Sequence, residues 1–264
     1  MTESLGIVVP AYRPDPDRLA NYLQALDVSL APTQRHVELD VPDQDTLDRL
    51  KDAPGTVAVS ARRRGKGAAI TAGFDHLETD VLAFVDADGS TPPASLRAIL
   101  DALPEEDVAL AVGSRRHPES VVPSHQSRIR RRLGDLFVVA ARRLLPIKLW
   151  DYQCGAKVLS ATTWSVVRHK LVASGFAWDI DLLTAIWLSG GTVTEVPIEW
   201  EDQSGTTVNT VGTMAEFTRA ILRARLRVAS RSGSVSRAMS ELIPQPTPLV
   251  DRHETRSFSD QHDP

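Results

Sequence analysis

Two carboxylates, Asp86 and Asp88, stand two residues apart directly after the unbroken apolar run Val81–Val85, in the stretch VLAFVDADGSTPP. Carboxylates at that spacing across a turn can share one hard divalent cation, leaving the rest of its shell to water and phosphate oxygens. The pattern suggests a metal neutralising a diphosphate, although a solvated turn produces the same spacing. The apolar run suits a strand covered on both faces, as in a parallel sheet. Gly89 then turns the chain, and Thr91 followed by Pro92 and Pro93 reads as an N-cap with proline in the first helical turn. The pair is therefore expected where a parallel strand ends and a helix begins, the edge at which open α/β sheets bind ligands.

A second group has cationic chemistry. RGKG places glycines and the Lys66 ammonium at the start of a predicted helix, an environment suited to an anion. It lacks the Gly-x4-Gly-Lys-Ser/Thr spacing of a phosphate-binding Walker loop. Arg62, Arg63 and Arg64, just before it, read equally well as a solvated turn. The single cysteine, Cys154, allows no internal disulfide and no multi-cysteine metal site. It reads as a small buried side chain rather than a nucleophile.

These residues need a frame to hold them. Strands are expected at Gly6–Ala11, His36–Val41, Thr56–Ser60, Val81–Val85 and Val108–Val112, alternating with helices at 15–30, 45–52, 66–77 and 93–103. Such alternation builds a mostly parallel sheet with helices on both faces. Residues 114–126 read as a loop. Arg128–Leu145 reads as an amphipathic helix with Ile129, Leu133, Phe137, Ala140 and Leu144 as its stripe. Helices are expected near 161–172 and 179–188, a strand at Thr192–Trp200, and a basic amphipathic helix over 216–229. From Arg231 the chain is rich in Ser, Pro, Asp and His, the composition of a disordered tail. The expected division is 1–212 for the α/β domain, 213–230 for the basic helix and 231–264 for the tail. A net charge of −4 is too small to point to nucleic acid. The N-terminus shows no signal peptide, and no window reaches the roughly 20 apolar residues of a membrane span. A cytoplasmic protein is expected, with peripheral membrane contact through its basic helices.

Seven segments taken in order, GIVVPAY, RGKGAAITAGF, LAFVDADGST, AVGSRR, DYQCGAKVLS, GFAWDIDLL and EVPIEW, resemble the inverting family-2 glycosyltransferases of GT-A fold. Within these, the dolichyl-phosphate glucose and dolichyl-phosphate mannose synthases are the most similar, over roughly residues 5–210. The resemblance implies a hexose moved from a UDP- or GDP-hexose to a polyprenyl phosphate, with Asp86 and Asp88 on Mg2+ or Mn2+. It implies nucleoside contacts from Pro10, Ala11 and Tyr12, donor contacts from Lys66 and Gln153, and Asp151 shaping the sugar pocket. Arg115, with Arg131 or its neighbours Arg128 and Arg130, would face the acceptor phosphate. A phosphate monoester is already ionised near neutral pH, so it needs orientation more than deprotonation. Asp179, at the place of the base in relatives acting on hydroxyls, is then a candidate catalytic-site residue that need only position groups, and Asp181 a structural one. Two departures bear on specificity. The second strand ends HVELDVPDQDT where the family has Asp-Asp-Gly-Ser, leaving Asp40 or Asp43 to read the base, and EVPIEW is followed by EDQSGTTVN rather than the arginine of mannose synthases. Uracil or guanine, glucose or mannose, and the oligomeric state stay open. Two other readings are a family-2 enzyme with a glycan or other hydroxyl acceptor, and a degenerate nucleotide-sugar-binding protein.

Overall fold

The computed structural model describes residues 3–104, 108–122, 137–201, 210–231 and 246–252. Segments of five to eight residues form the strands β1 (Leu5–Tyr12), β2 (Gln34–Asp40), β3 (Thr56–Ser60), β4 (Val81–Val85), β5 (Val108–Ser114), β6 (Ala156–Ser160) and β7 (Thr192–Pro197). They make one seven-stranded sheet in the order β3-β2-β1-β4-β6-β5-β7. β1 pairs in parallel with β2 and β4, β2 with β3, and β5 with β7. β6 alone runs antiparallel, between β4 and β5. Its first residues therefore arrive at the edge where β4 and β5 finish, which brings the 151–155 segment to the ends of both.

Helices α1 (Pro16–Leu30), α2 (Gln44–Leu50) and α4 (Pro93–Asp101) cover one face; their Leu19, Leu23, Leu50, Leu96 and Ile99 bury against Ile7, Val9, Ala83 and Val85. The other face carries α3 (Lys66–His76), a helical stretch over 137–144 (α5), α6 (Ala161–Val167), α7 (Trp178–Leu188) and α8 (Thr210–Arg231). Phe74, Phe84, Trp164 and Trp178 meet there ring against ring, with centroids 5.1 to 6.5 Å apart. A mostly parallel sheet sandwiched between helices is the architecture expected above.

Several local expectations need correction. Thr91 is not a cap: α4 begins after Pro92 without a side-chain cap, and the Thr91 carbonyl accepts from the buried Tyr22 hydroxyl at 2.6 Å. Two prolines fix the helical entry by their own φ, which makes a capping hydroxyl dispensable. The buried stripe is Phe137 and Ala141 of α5 with Leu145 just beyond its end, whereas Leu144 is exposed. Ile129 and Leu133 lie outside the described residues. The helix read to 172 stops at Val167 and tightens into a 3-10 turn, Arg168–Lys170. Within the stretch read as a tail, Leu249–Asp251 forms another 3-10 turn. Leu249 is buried there, its N–H donating to the Leu171 carbonyl at 2.8 Å. The apolar pair Leu249–Val250 was outweighed in composition by its polar surroundings.

Candidate active site

The carboxylate pair sits at the C-terminal end of β4. The backbone N–H of Asp86 donates to the Gly155 carbonyl at 2.9 Å, tying it to the segment that leads into β6. A methyl on Gly155 would stand 1.8 Å from Asp86 Oδ2, so any larger residue there would displace the Asp86 carboxylate. Asp88 Oδ1 accepts from the Ser90 N–H at 2.9 Å, closing a turn in which Gly89 takes φ +71°. Burial, and then the charges of Asp86 and Asp88, push the Tyr22 phenol well above its ordinary pKa, so both carboxylates bear on one buried ring. The Asp86 side chain is 39 % exposed and open to a ligand. Among the described residues no cluster of three or more His, Cys, Asp or Glu gathers. Two hard carboxylates, with phosphate and water to complete the shell, fit Mg2+ or Mn2+ and suit neither a soft nor an all-protein site.

Cations face this pair. Lys66, the first residue of α3, places Nζ 2.6 Å from Asp86 Oδ1. Desolvation alone would lower the lysine pKa, but the charges of Asp86 and Asp179 hold it above its usual value. Gly65 sets the entry to the helix at φ +100°, pressed against the Ser174 carbonyl. Before it, Arg64 is nearly buried rather than solvated: Nη2 donates to Glu38 at 2.6 Å and Nε to Asp40 at 2.7 Å. Asp40 Oδ2 also accepts the backbone N–H groups of Arg64 and Gly65. Asp40 thus holds the loop that delivers Lys66, while Asp43 caps α2 by accepting from the Thr46 N–H. Tyr12 ends β1 beside Asp40, and the guanidinium of Arg63 lies 4.2 Å from its ring centroid. Pro10 and Ala11, next to it in β1, are buried.

On the other side of β4, Arg115 follows β5. Its Nε and Nη2 grip Asp151 at 2.7 and 3.0 Å, and its backbone N–H donates to the same carboxylate. Burial pushes the Asp151 carboxyl up, but the Arg115 charge and hydrogen bonds outweigh it and hold the group far below the carboxylate range. Glu195 of β7 in turn accepts the backbone N–H groups of Trp150 and Asp151. Asp151 therefore orients Arg115, a task different from the sugar-pocket contact implied by the resemblance. Arg115 also feels the charge of Asp86. Arg128, Arg130 and Arg131 lie outside the described residues. Gln153 donates its backbone N–H to Asp151, and its side-chain Nε2 is buried without a protein partner.

Cys154 is wholly buried, and desolvation pushes its thiol up to about 12. At pH 8 only about one part in ten thousand is thiolate, so alkylation of the folded protein is expected to be negligible. Mass spectrometry after iodoacetamide treatment, with and without denaturant, checks this; rapid labelling of the native protein would contradict it.

Asp179 and Asp181 part company. Asp181 accepts the Val172 and Ala173 N–H groups and pairs with Arg227 of α8 at 2.7 Å, so it is structural as expected. Asp179 is 2 % exposed and pairs at 2.5 Å with Lys157, itself wholly buried. The structure thus brings Tyr12, Asp40, Lys66, Asp86, Asp88, Arg115, Gln153 and Asp179 to one end of the sheet. Sequence reasoning missed Lys157, Glu195, Tyr22 and the role of Arg64. A lysine inside the apolar strand AKVLS was a legible sign, because a buried ammonium must find a carboxylate.

Residues 40–162 match the profile of Glycosyl transferase family 2. The chain is 26 % identical over 246 residues to the dolichyl-phosphate beta-glucosyltransferase of Mus musculus, covering 86 % of this chain and 76 % of that protein. It is 32 % identical over 145 residues to the polyprenol monophosphomannose synthase of Mycolicibacterium smegmatis, covering 53 % and 54 %. The matches span only 26 % of glycosyltransferase AglD of Haloferax volcanii and 47 % of the Saccharomyces cerevisiae dolichyl-phosphate beta-glucosyltransferase. Among solved structures, glucosyl-3-phosphoglycerate synthase from Mycobacterium tuberculosis, in complex with Mn2+, UDP-glucose and phosphoglyceric acid, superposes with a TM-score of 0.67 at 15 % identity. That likeness covers 84 % of this chain and 80 % of the other.

Proposed function

We propose, from the premise that this chain carries a family-2 glycosyltransferase domain on a GT-A fold, that it transfers a hexose with inversion from a nucleoside diphosphate hexose to a polyprenyl phosphate. The observation that carries this reading is Arg115, a guanidinium fixed bidentately by Asp151 within electrostatic reach of Asp86. A positioned cation beside the carboxylate edge suits an acceptor that arrives ionised and needs orientation, not deprotonation. The names of the mouse and mycobacterial relatives support the same acceptor class.

Tyr12, with Arg63 against its ring, forms the wall for the nucleoside. Asp86 and Asp88 would hold Mg2+ or Mn2+, which supplies Lewis-acid stabilisation to the departing diphosphate. Lys66 donates to the diphosphate oxygens as negative charge builds there. Arg115 directs the acceptor phosphate oxygen at the sugar's C1, on the side away from the leaving group, and Gln153 Nε2 offers a donor to the sugar. No helix of the described residues is long and apolar enough to cross a membrane. The apolar stripe of α8 is spent on the domain through Phe217, Ala220, Ile221 and Ala224, leaving Leu222 exposed between Arg219 and Arg223. This outward face supports a peripheral contact with an anionic cytoplasmic leaflet.

A panel of UDP- and GDP-hexoses, with Mg2+ or Mn2+ and a short polyprenyl phosphate, tests the reading. Labelled hexose is expected to move into the organic phase with one nucleotide series. In a parallel arm with 3-phosphoglycerate, a water-soluble product alone would replace the lipid acceptor by a small one. No product and no donor binding by calorimetry would overturn the reading altogether.

A further inference from the structure

The chemistry above leaves one buried cation unused. Lys157 is 0 % exposed, and its Nζ donates to Asp179 Oδ1 at 2.5 Å and to the Cys154 carbonyl at 2.7 Å. It lies 5.6 Å from the centroid of Phe84, whose ring is also 5.4 Å from the Lys66 ammonium. Withdrawing two charges from water is costly, and an apolar pair of equal volume commonly serves stability as well or better. Stability alone is therefore a weak reason for this pair.

Its connections supply another reason. Asp179 belongs to the first turn of α7, and its charge acts on Lys66. Cys154 belongs to the segment 151–155, whose Asp151 holds Arg115 and whose Gly155 carbonyl holds the backbone of Asp86. One ammonium thus ties the start of α7 to the segment that fixes both the carboxylate edge and the guanidinium. Each is a short, charge-assisted bond, so the junction tolerates little play.

We propose that Lys157 is a positioning residue, setting Asp86 and Arg115 in register through Asp179 and the Cys154 carbonyl. The inference rests on the proposed transfer reaction, in which the acceptor oxygen, the sugar carbon and the leaving diphosphate must align. Misplacement by about 1 Å can cost roughly a hundredfold in rate without loosening either substrate. The signature is a fall in kcat at nearly unchanged KM, separable from any loss of stability.

Lys157→Met strands a buried carboxylate and is expected to lower Tm. The double variant Lys157→Met/Asp179→Leu removes both charges and is expected to return Tm close to the parent. Its kcat should stay about a hundredfold low, with KM for donor and acceptor within about threefold of the parent. Parental kcat in the double variant would reduce the pair to a structural role and overturn the inference, as would a loss confined to KM. Lys157→Gln keeps a donor for the Cys154 carbonyl and the Asp179 carboxylate, and should recover part of the kcat lost in Lys157→Met. Equal kcat in the Gln and Met variants, compared below the Tm of both, also overturns it. If the parent transfers no hexose from any donor, the functional reading fails instead, and the two failures are distinct.

Discussion

Asp88→Asn is expected to lower kcat for the proposed hexose transfer about a thousandfold while leaving the fold intact. The asymmetry follows from what Asp88 does on each side of its carboxylate. Toward the protein, Oδ1 accepts from the Ser90 N–H, and an asparagine oxygen accepts the same bond. Toward the ligand, the charge that would hold a divalent cation is gone. Losing the electrostatic support of a departing diphosphate corresponds to about 4 kcal/mol in the barrier. The check is kcat for hexose transfer at saturating donor, beside Tm and Mn2+ affinity measured without donor. Activity within tenfold of the parent, or undiminished Mn2+ binding, would remove Asp88 from the role assigned to it.

Asp151→Asn is expected to cost both stability and acceptor use. The native carboxylate is 2 % exposed and satisfies two guanidinium donors and two backbone N–H groups. Asparagine keeps the shape but leaves Arg115 partly buried without its paired carboxylate, a loss of about 3 kcal/mol. For a chain of this size that is a fall of roughly 10 °C in Tm. The arginine also loses the fork that aims it, so KM for the acceptor rises about tenfold or more while KM for the donor changes little. The pH dependence has a definite sign. The carboxyl of Asp151 is lower in the folded protein than in the unfolded chain, so its contribution is complete at neutral pH and fades as pH falls below about 4. Acid titrations of Tm should therefore converge for parent and variant as the pH is lowered. Parallel curves with a constant gap would show that the charge is not what Asp151 contributes.

The two variants rest on residues that differ in how openly the sequence displays them. Asp86 and Asp88 announce themselves because an apolar strand halts on a polar pair, and strand-end chemistry is local. Lys66 is legible for the same reason, as the first residue of a helix after a glycine. Asp151 and Arg115 are visible singly, yet their pairing depends on β6 running backwards between β4 and β5, which no periodicity encodes. Arg64 shows the limit from the other direction. Three consecutive arginines look like a solvated turn, and only the packing of α3 on β2 reveals that one of them bridges Glu38 and Asp40. Short-range patterns give the elements and their ends; long-range pairings of buried charges have no signal until the sheet order is known.

The reversed strand also governs how the site is assembled in time. Asp86 and Gly155 are about 70 residues apart in the chain, and the loop between them must close before β6 can enter between its neighbours. Contacts of such separation form late in folding, after local hairpins and helices, because their closure entropy is met only once much of the sheet exists. The first half of the chain, β1 to β4 with α1 to α3, can collapse around its own apolar core and still possess no floor beneath Asp86. Activity should therefore return after secondary structure in a refolding experiment, on the timescale of β6 insertion. A nascent chain released before Gly155 would carry both carboxylates yet lack that glycine and the whole of β6.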